Sequence, residues 1–192
     1  MNEELLKEVK GMLPWIIVAA LAVGGYYGVK GYMAERKGAA AASVSNSFTT
    51  DDVESAVADF GSTDVGGALK LQLAKRYYDD GRFEEALAEY EKLANDAPDG
   101  FADVPVVGRA ECLEALGRYA EARQAYDTYL AGKPAAYLEM TAKLGSIRAQ
   151  ALAGEKEAAL KRLAELKETV KSDPAAFGRV TVLEDAIDRG VK

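Results

Sequence analysis

Residues 67–98 read GALKLQLAKRYYDDGRFEEALAEYEKLANDAP, and residues 104–134 read VPVVGRAECLEALGRYAEARQAYDTYLAGKP. Laid on each other, the two stretches agree at a glycine (Gly81, Gly117), an aromatic two residues on (Phe83, Tyr119), an alanine (Ala86, Ala122), a tyrosine (Tyr90, Tyr126) and a closing proline (Pro98, Pro134). The period is 36 residues. A fixed period of this length, with helix-forming sequence on both sides of a glycine, predicts stacked helix hairpins. Each residue type has a reason to recur. The glycine takes φ > 0 and ends the first helix. The alanine lets the second helix approach the first, and the aromatics fill the space between them. The proline stops the second helix by clashing with a preceding carbonyl.

This pattern resembles the tetratricopeptide (TPR) repeat. Outward from it, a degraded third copy follows, in which Tyr137 to Ala153 lead to Gly154, 37 residues after Gly117, and then to Ala159, Leu163 and Leu166. Asp173 and Pro174 supply an N-cap and a first-turn proline for a last helix with Phe177, Val180, Leu183 and Ile187 on one stripe. Upstream, Asp51 with Glu54 has capping-box spacing, and Val53, Val57 and Phe60 recur at helical intervals up to Gly61. The expected fold is all-α: a TPR-like α-solenoid of about three hairpins (residues 67–98, 103–134 and 140–171 within a domain 51–192) closed by a capping helix over 174–190. Terminal elements of such arrays are usually atypical.

The N-terminal part has a different composition. Residues 1–11 form a short charged head, and residues 12–29 read MLPWIIVAALAVGGYYGV without a charge, enough for about 27 Å of helix and so for the hydrocarbon core of a bilayer. Trp15 near one end and Tyr26, Tyr27 and Tyr32 near the other sit where interfacial belts sit. The reading is a transmembrane helix over 12–33, followed by an Ala/Ser-rich linker or helix extension over 34–50. Gly24 and Gly28 have GxxxG spacing and are candidates for packing against another membrane helix. A cleaved signal peptide competes, with Ala39 to Ala42 before Ser43 as its cleavage site, but the head is acidic where a basic one is required. A buried helix of the same length is the other rival. Lys30, Arg36 and Lys37 behind the helix, against Lys7 and Lys10 before it, by themselves favour a cytoplasmic C-terminal domain by a small margin.

Composition narrows the function. Among 192 residues there is no histidine, the formal net charge is −7, and 49% of residues are hydrophobic. A histidine-based catalytic or metal site is excluded, and a basic nucleic-acid footprint is absent. The lone Cys112 falls among small residues of a first helix and reads as a core position. The carboxylate pairs Asp51 and Asp52, Asp79 and Asp80, Glu84 and Glu85, and Glu184 and Asp185 fall at turns and helix starts, where they complement the helix dipole. With no phosphate loop and no nucleophile elbow, neither an enzyme nor a cofactor is expected. Protein partners are expected instead.

In TPR arrays the first helix of each hairpin lines the concave face. By alignment this offers Leu71, Lys75, Tyr78 and Asp79, then Val104, Val107, Glu111 and Glu114, then Leu144, Arg148 and Leu152. Leu71, Tyr78, Val107 and Leu144 are expected to form one apolar strip with Tyr78 as its anchor, and Lys75, Glu111 and Arg148 to set a partner's register. The lysine, asparagine and arginine set with which some TPRs clamp a C-terminal carboxylate is replaced by Leu71, Lys75, Gly108, Thr141 and Gly145. An extended or helical partner segment suits such a groove.

A single membrane helix containing ALAVGG, followed by VESAVADFGSTDVGGALKLQLAKRYYDDGRFEEALAEYEKLA, resembles the ancillary SecYEG translocon subunit family typified by YfgM. The resemblance is best over residues 53–94. It implies a TPR-like domain on the periplasmic side of the bacterial inner membrane, anchored beside the export channel and linked to periplasmic chaperones. Residues between membrane and first repeat are fewer and richer in Ala and Gly than in that family. A structural subunit of another envelope assembly, such as a secretion or pilus complex, is the alternative.

Overall fold

The turn glycines carry the architecture. In the computed structural model, which describes residues 30–32, 35–36, 38–39, 49–63, 65–94, 97–98 and 100–190, Gly81, Gly117 and Gly154 have φ of 76°, 75° and 93°. At each, the following amide reaches back five residues to a helix carbonyl: Arg82 to Tyr77 at 2.8 Å, Arg118 to Leu113 at 2.8 Å, and Glu155 to Gln150 at 3.1 Å. This is the Schellman closure, which needs a residue free of the Cβ penalty at positive φ.

The helices so separated are α1 (Thr50–Phe60), α2 (Gly66–Asp79), α3 (Phe83–Leu93), α4 (Asp103–Ala115), α5 (Tyr119–Ala131), α6 (Ala136–Leu152), α7 (Lys156–Thr169) and α8 (Pro174–Arg189). No strand occurs among the described residues. Each helix packs on the next in sequence, so the chain is an α-solenoid of hairpins α2/α3, α4/α5 and α6/α7 flanked by α1 and α8. The third hairpin begins at Ala136, a turn earlier than the expected residue 140.

Contacts between non-successive helices give the array its curvature. The first helices touch one another in order, α2 with α4, α4 with α6 and α6 with α8, whereas α3, α5 and α7 make no such contact among themselves. The first helices are therefore the crowded inner layer, and the layer of second helices is splayed.

Ala86, Ala122 and Ala159 are fully buried at the helix crossings, as the close-approach reading requires. One core joins the first two hairpins around Tyr90, Leu113 and Tyr126, and a second joins Leu144, Ile147 and Leu163 to Val180, Leu183 and Ile187 of α8. Between them lies a polar seam. Buried Ser146 and Gln150 of α6 are bound by Arg162, which also reaches Asp127 at 3.1 Å, and Arg123 donates to both Glu155 oxygens at 2.8 Å. A buried polar group needs its partners, and here each has one.

Some local expectations are corrected. The first cap is Thr49, not Asp51: its hydroxyl accepts from Asp52 N–H at 3.2 Å, and the Asp52 carboxylate accepts from Thr49 N–H at 3.0 Å. Both spacings satisfy the box, and the one whose hydroxyl caps the first free amides starts the helix. Helices α3 and α5 end at Leu93 and Ala131, before Pro98 and Pro134, so the prolines do not stop them. Pro98 instead packs on Gly67 at the head of α2, where an added Cβ would stand 3.1 Å from its ring. Phe177, expected on the apolar stripe, is instead exposed on α8 with Lys167 Nζ 5.4 Å from its ring centre. The Asp173 cap is as expected, accepting from Ala175 and Ala176 amides at 3.0 and 3.1 Å.

The transmembrane reading of 12–33, with Gly24 and Gly28, lies outside the described residues except at 30–32, which are helical, as are 35–36 and 38–39. Among the described residues no helix is long and apolar enough to cross a membrane.

Candidate functional site: the cleft on the inner face

The inner layer is built around two glycines. A Cβ on Gly108 of α4 would stand 2.6 Å from the Tyr90 ring, and one on Gly145 of α6 would stand 2.5 Å from the Tyr126 ring. The outer-layer tyrosines lie against glycine backbone, which lets α4 approach α3 and α6 approach α5. The Tyr126 hydroxyl is buried without a hydrogen-bond partner among the described residues, and its pKa is pushed up by burial first and then by Glu114 and Glu111.

Burial in the two cores corrects the expected apolar strip. Val107 and Leu144 are only 3% and 7% exposed, and Leu71 is half-buried against the first core. Tyr78 is also half-buried and stacks edge-on against Phe83 of its own hairpin at 5.3 Å, so it is tied into the fold rather than offered as a free anchor. Lys75 is exposed, bonded to Asp79 one turn on, with its Nζ 5.9 Å from the Tyr78 ring.

What the structure brings together is Glu111, Leu144 and Arg148, in a cleft of about 720 Å³ between α4, α6 and α8. Leu144 and Leu183 form its floor, Val182 stands 70% exposed on its rim, and Arg179 closes the far wall, its Nη2 3.2 Å from the Thr141 hydroxyl. The α8 wall was not foreseen. A signal for it exists: Val182 follows Gly145 by 37 residues, as Gly145 follows Gly108, so α8 is in register as a fourth inner helix and not merely a cap. A second hollow of about 600 Å³, on the outer layer, is lined by Arg123, Asp127 and Glu155, which already bind one another.

The match to known proteins fits this geometry. Residues 77–144 match the tetratricopeptide repeat family, from the end of α2 into α6. The chain contains tetratricopeptide repeats. Neither the curated proteins nor the solved structures yield a match. The inner layer of these repeats is the face on which the cleft opens.

Electrostatics distinguish the two glutamates of α4. Glu114 is 11% exposed and takes a two-pronged bond from Arg148, Nε to Oε1 and Nη2 to Oε2, the latter at 2.9 Å. That bond is the main reason the Arg148 guanidinium is held above its ordinary value. Glu111 makes no hydrogen bond or ion pair among the described residues. Desolvation raises its carboxyl above the ordinary 4.5, with Arg148 and Lys75 opposing.

The consequence for stability has a definite sign. Below the ordinary carboxylate range, Glu111 is protonated in folded and unfolded chains alike and makes no difference. Above it, the unfolded chain ionises more readily, so the native state is disfavoured. Glu111→Gln is expected to melt at a higher temperature than wild type at neutral pH, with the gap closing as pH falls below 4.5. Thermal unfolding followed by circular dichroism across pH reads this directly; a gap that persists or grows in acid would show that the carboxyl is not desolvated.

Cys112 is fully buried, and burial pushes its thiol up to about 12. A protonated thiol in the core is a packing group and not a nucleophile.

Proposed function

We propose that this chain is a protein–protein interaction adaptor that holds a segment of a partner in the inner-face cleft. The repeats support binding of protein in general. The observation that carries the reading is Val182, a large aliphatic side chain left 70% exposed beside Leu144 and Leu183 in a concave site. Exposed apolar groups rimmed by charge mark interaction sites. A binding role in place of catalysis is supported by the lack of histidine and of any phosphate loop or nucleophile motif in the sequence.

The finer reading is that the adaptor is tethered in a bacterial inner membrane by the uncharged stretch 12–29, with its repeats on the periplasmic side, working beside the export translocon and its chaperones. Its support is the sequence resemblance over residues 53–94, together with the tendency of long C-terminal domains to translocate regardless of flanking charge. Affinity purification of the full chain in mild detergent, wild type against Val182→Asp, tests both levels. Translocon subunits or chaperones are expected with the wild type and several-fold less with the variant, since a rim charge disturbs the cleft and not the core. Recovery of a stoichiometric secretion or pilus complex would instead make the chain a structural subunit, and equal recovery by both proteins would remove the cleft from the interaction.

A further inference from the structure

We propose that the cleft takes an extended partner segment in which a lysine or arginine adjoins an aliphatic residue, the cation meeting Glu111 and the aliphatic side chain covering Leu144, Leu183 and Val182. The proposal rests on the cleft being the binding site and adds the chemistry of what it selects.

The charges around the cleft decide the sign. Arg148 is held by Glu114, Lys75 by Asp79, and Arg179 donates to the Thr141 hydroxyl. Among the described residues Glu111 is left without a direct partner while lying partly buried in the lining of the site. A carboxylate removed from water and unpaired is poorly stabilised, and an incoming cation with hydrogen-bond donors replaces the lost solvent. Its nearest cations do not fill this role, because each already satisfies another acceptor. An anionic segment in the same place would meet Glu111, and like-charge juxtaposition is strongly disfavoured at an interface.

The apolar half follows from position. Leu144, Leu183 and Val182 lie on α6 and α8, across the cleft from Glu111 on α4. Alternate side chains of an extended segment point to opposite sides, so a basic residue and its neighbour can serve the two walls at once. This selection is opposite in sign to carboxylate capture, for which the inner helices hold Gly108, Thr141 and Gly145 where basic and amide side chains are needed.

The test uses the full chain in mild detergent and fluorescein-labelled peptides with Leu-Lys-Leu, Leu-Glu-Leu or Ser-Lys-Ser at the centre of a Gly/Ser frame, read by fluorescence anisotropy. The Leu-Lys-Leu peptide is expected to bind about tenfold or more tightly than either control, and to weaken with salt. Glu111→Gln should abolish the preference for lysine over glutamate, and Glu111→Lys should reverse it, each with unchanged helical circular dichroism. If both leucine peptides bind wild type equally and Val182→Asp releases both, the charge selection is wrong while the cleft remains the site. If no peptide binds, or Val182→Asp releases none, the proposal and the cleft reading fall together. Concentration-dependent self-association abolished by Val182→Asp would make the occupant a second copy of this chain and likewise overturn it.

Discussion

Alanine in place of Gly145 is expected to destabilise the repeats by about 2 kcal/mol, within the range for overpacking a well-filled core. On an open helix the same change would stabilise by about 1 kcal/mol, because glycine is the poorer helix former, so the predicted sign is opposite to that of propensity. The reason is the Tyr126 ring, 1% exposed and closed in from all sides, with its nearest ring carbon 2.5 Å from where the new methyl must go. The melting temperature should fall by roughly 4–8 °C. The control is built into the third hairpin, which has Leu163 where the first two have tyrosine. In a Tyr126→Leu background, Gly145→Ala should be neutral or stabilising, and the difference between the two backgrounds measures the contact. Equal effects in both backgrounds would show that the ring does not depend on the glycine.

Arg148→Met is expected to lower stability by about 2 kcal/mol, between the small value of an exposed ion pair and the several kcal/mol lost when one partner of a buried pair is removed. The loss comes from Glu114, at 11% exposure, and not from the arginine, at 39%: methionine keeps the aliphatic stem in place but leaves the carboxylate with no donor. Arg148 also opposes the desolvation of Glu111, so removing it makes two neighbouring carboxylates on α4 harder to bury. Adding Glu114→Leu should restore most of the stability, since an apolar pair of similar volume carries no desolvation penalty. Chemical denaturation of the single and double variants checks this, and a double variant no better than Arg148→Met would assign the loss to packing of the arginine stem.

The features legible in the sequence are those that a short run of backbone decides by itself. Gly81, Gly117 and Gly154 could be placed at the turns because only a residue without Cβ takes positive φ easily, and Asp173 with Pro174 could be placed at a helix start because the cap satisfies amides two and three residues on. Ala86, Ala122 and Ala159 followed from their period. The capping box at Thr49 was missed by two residues because two overlapping spacings met the same local rule.

The site was another matter. Periodicity gives the inner face of α2, α4 and α6, but exposure on that face depends on how neighbouring helices pack, and Val107 is buried in the first core and Leu144 in the second. The sequence by itself determined the hairpins, their turns and their order, since those reside in backbone stereochemistry repeated every 36 or 37 residues. Only the tertiary structure decided that Val182 stays exposed on α8, and that Glu114 takes Arg148 while Glu111 is left unpaired among the described residues, because each depends on distances between helices that no local pattern encodes.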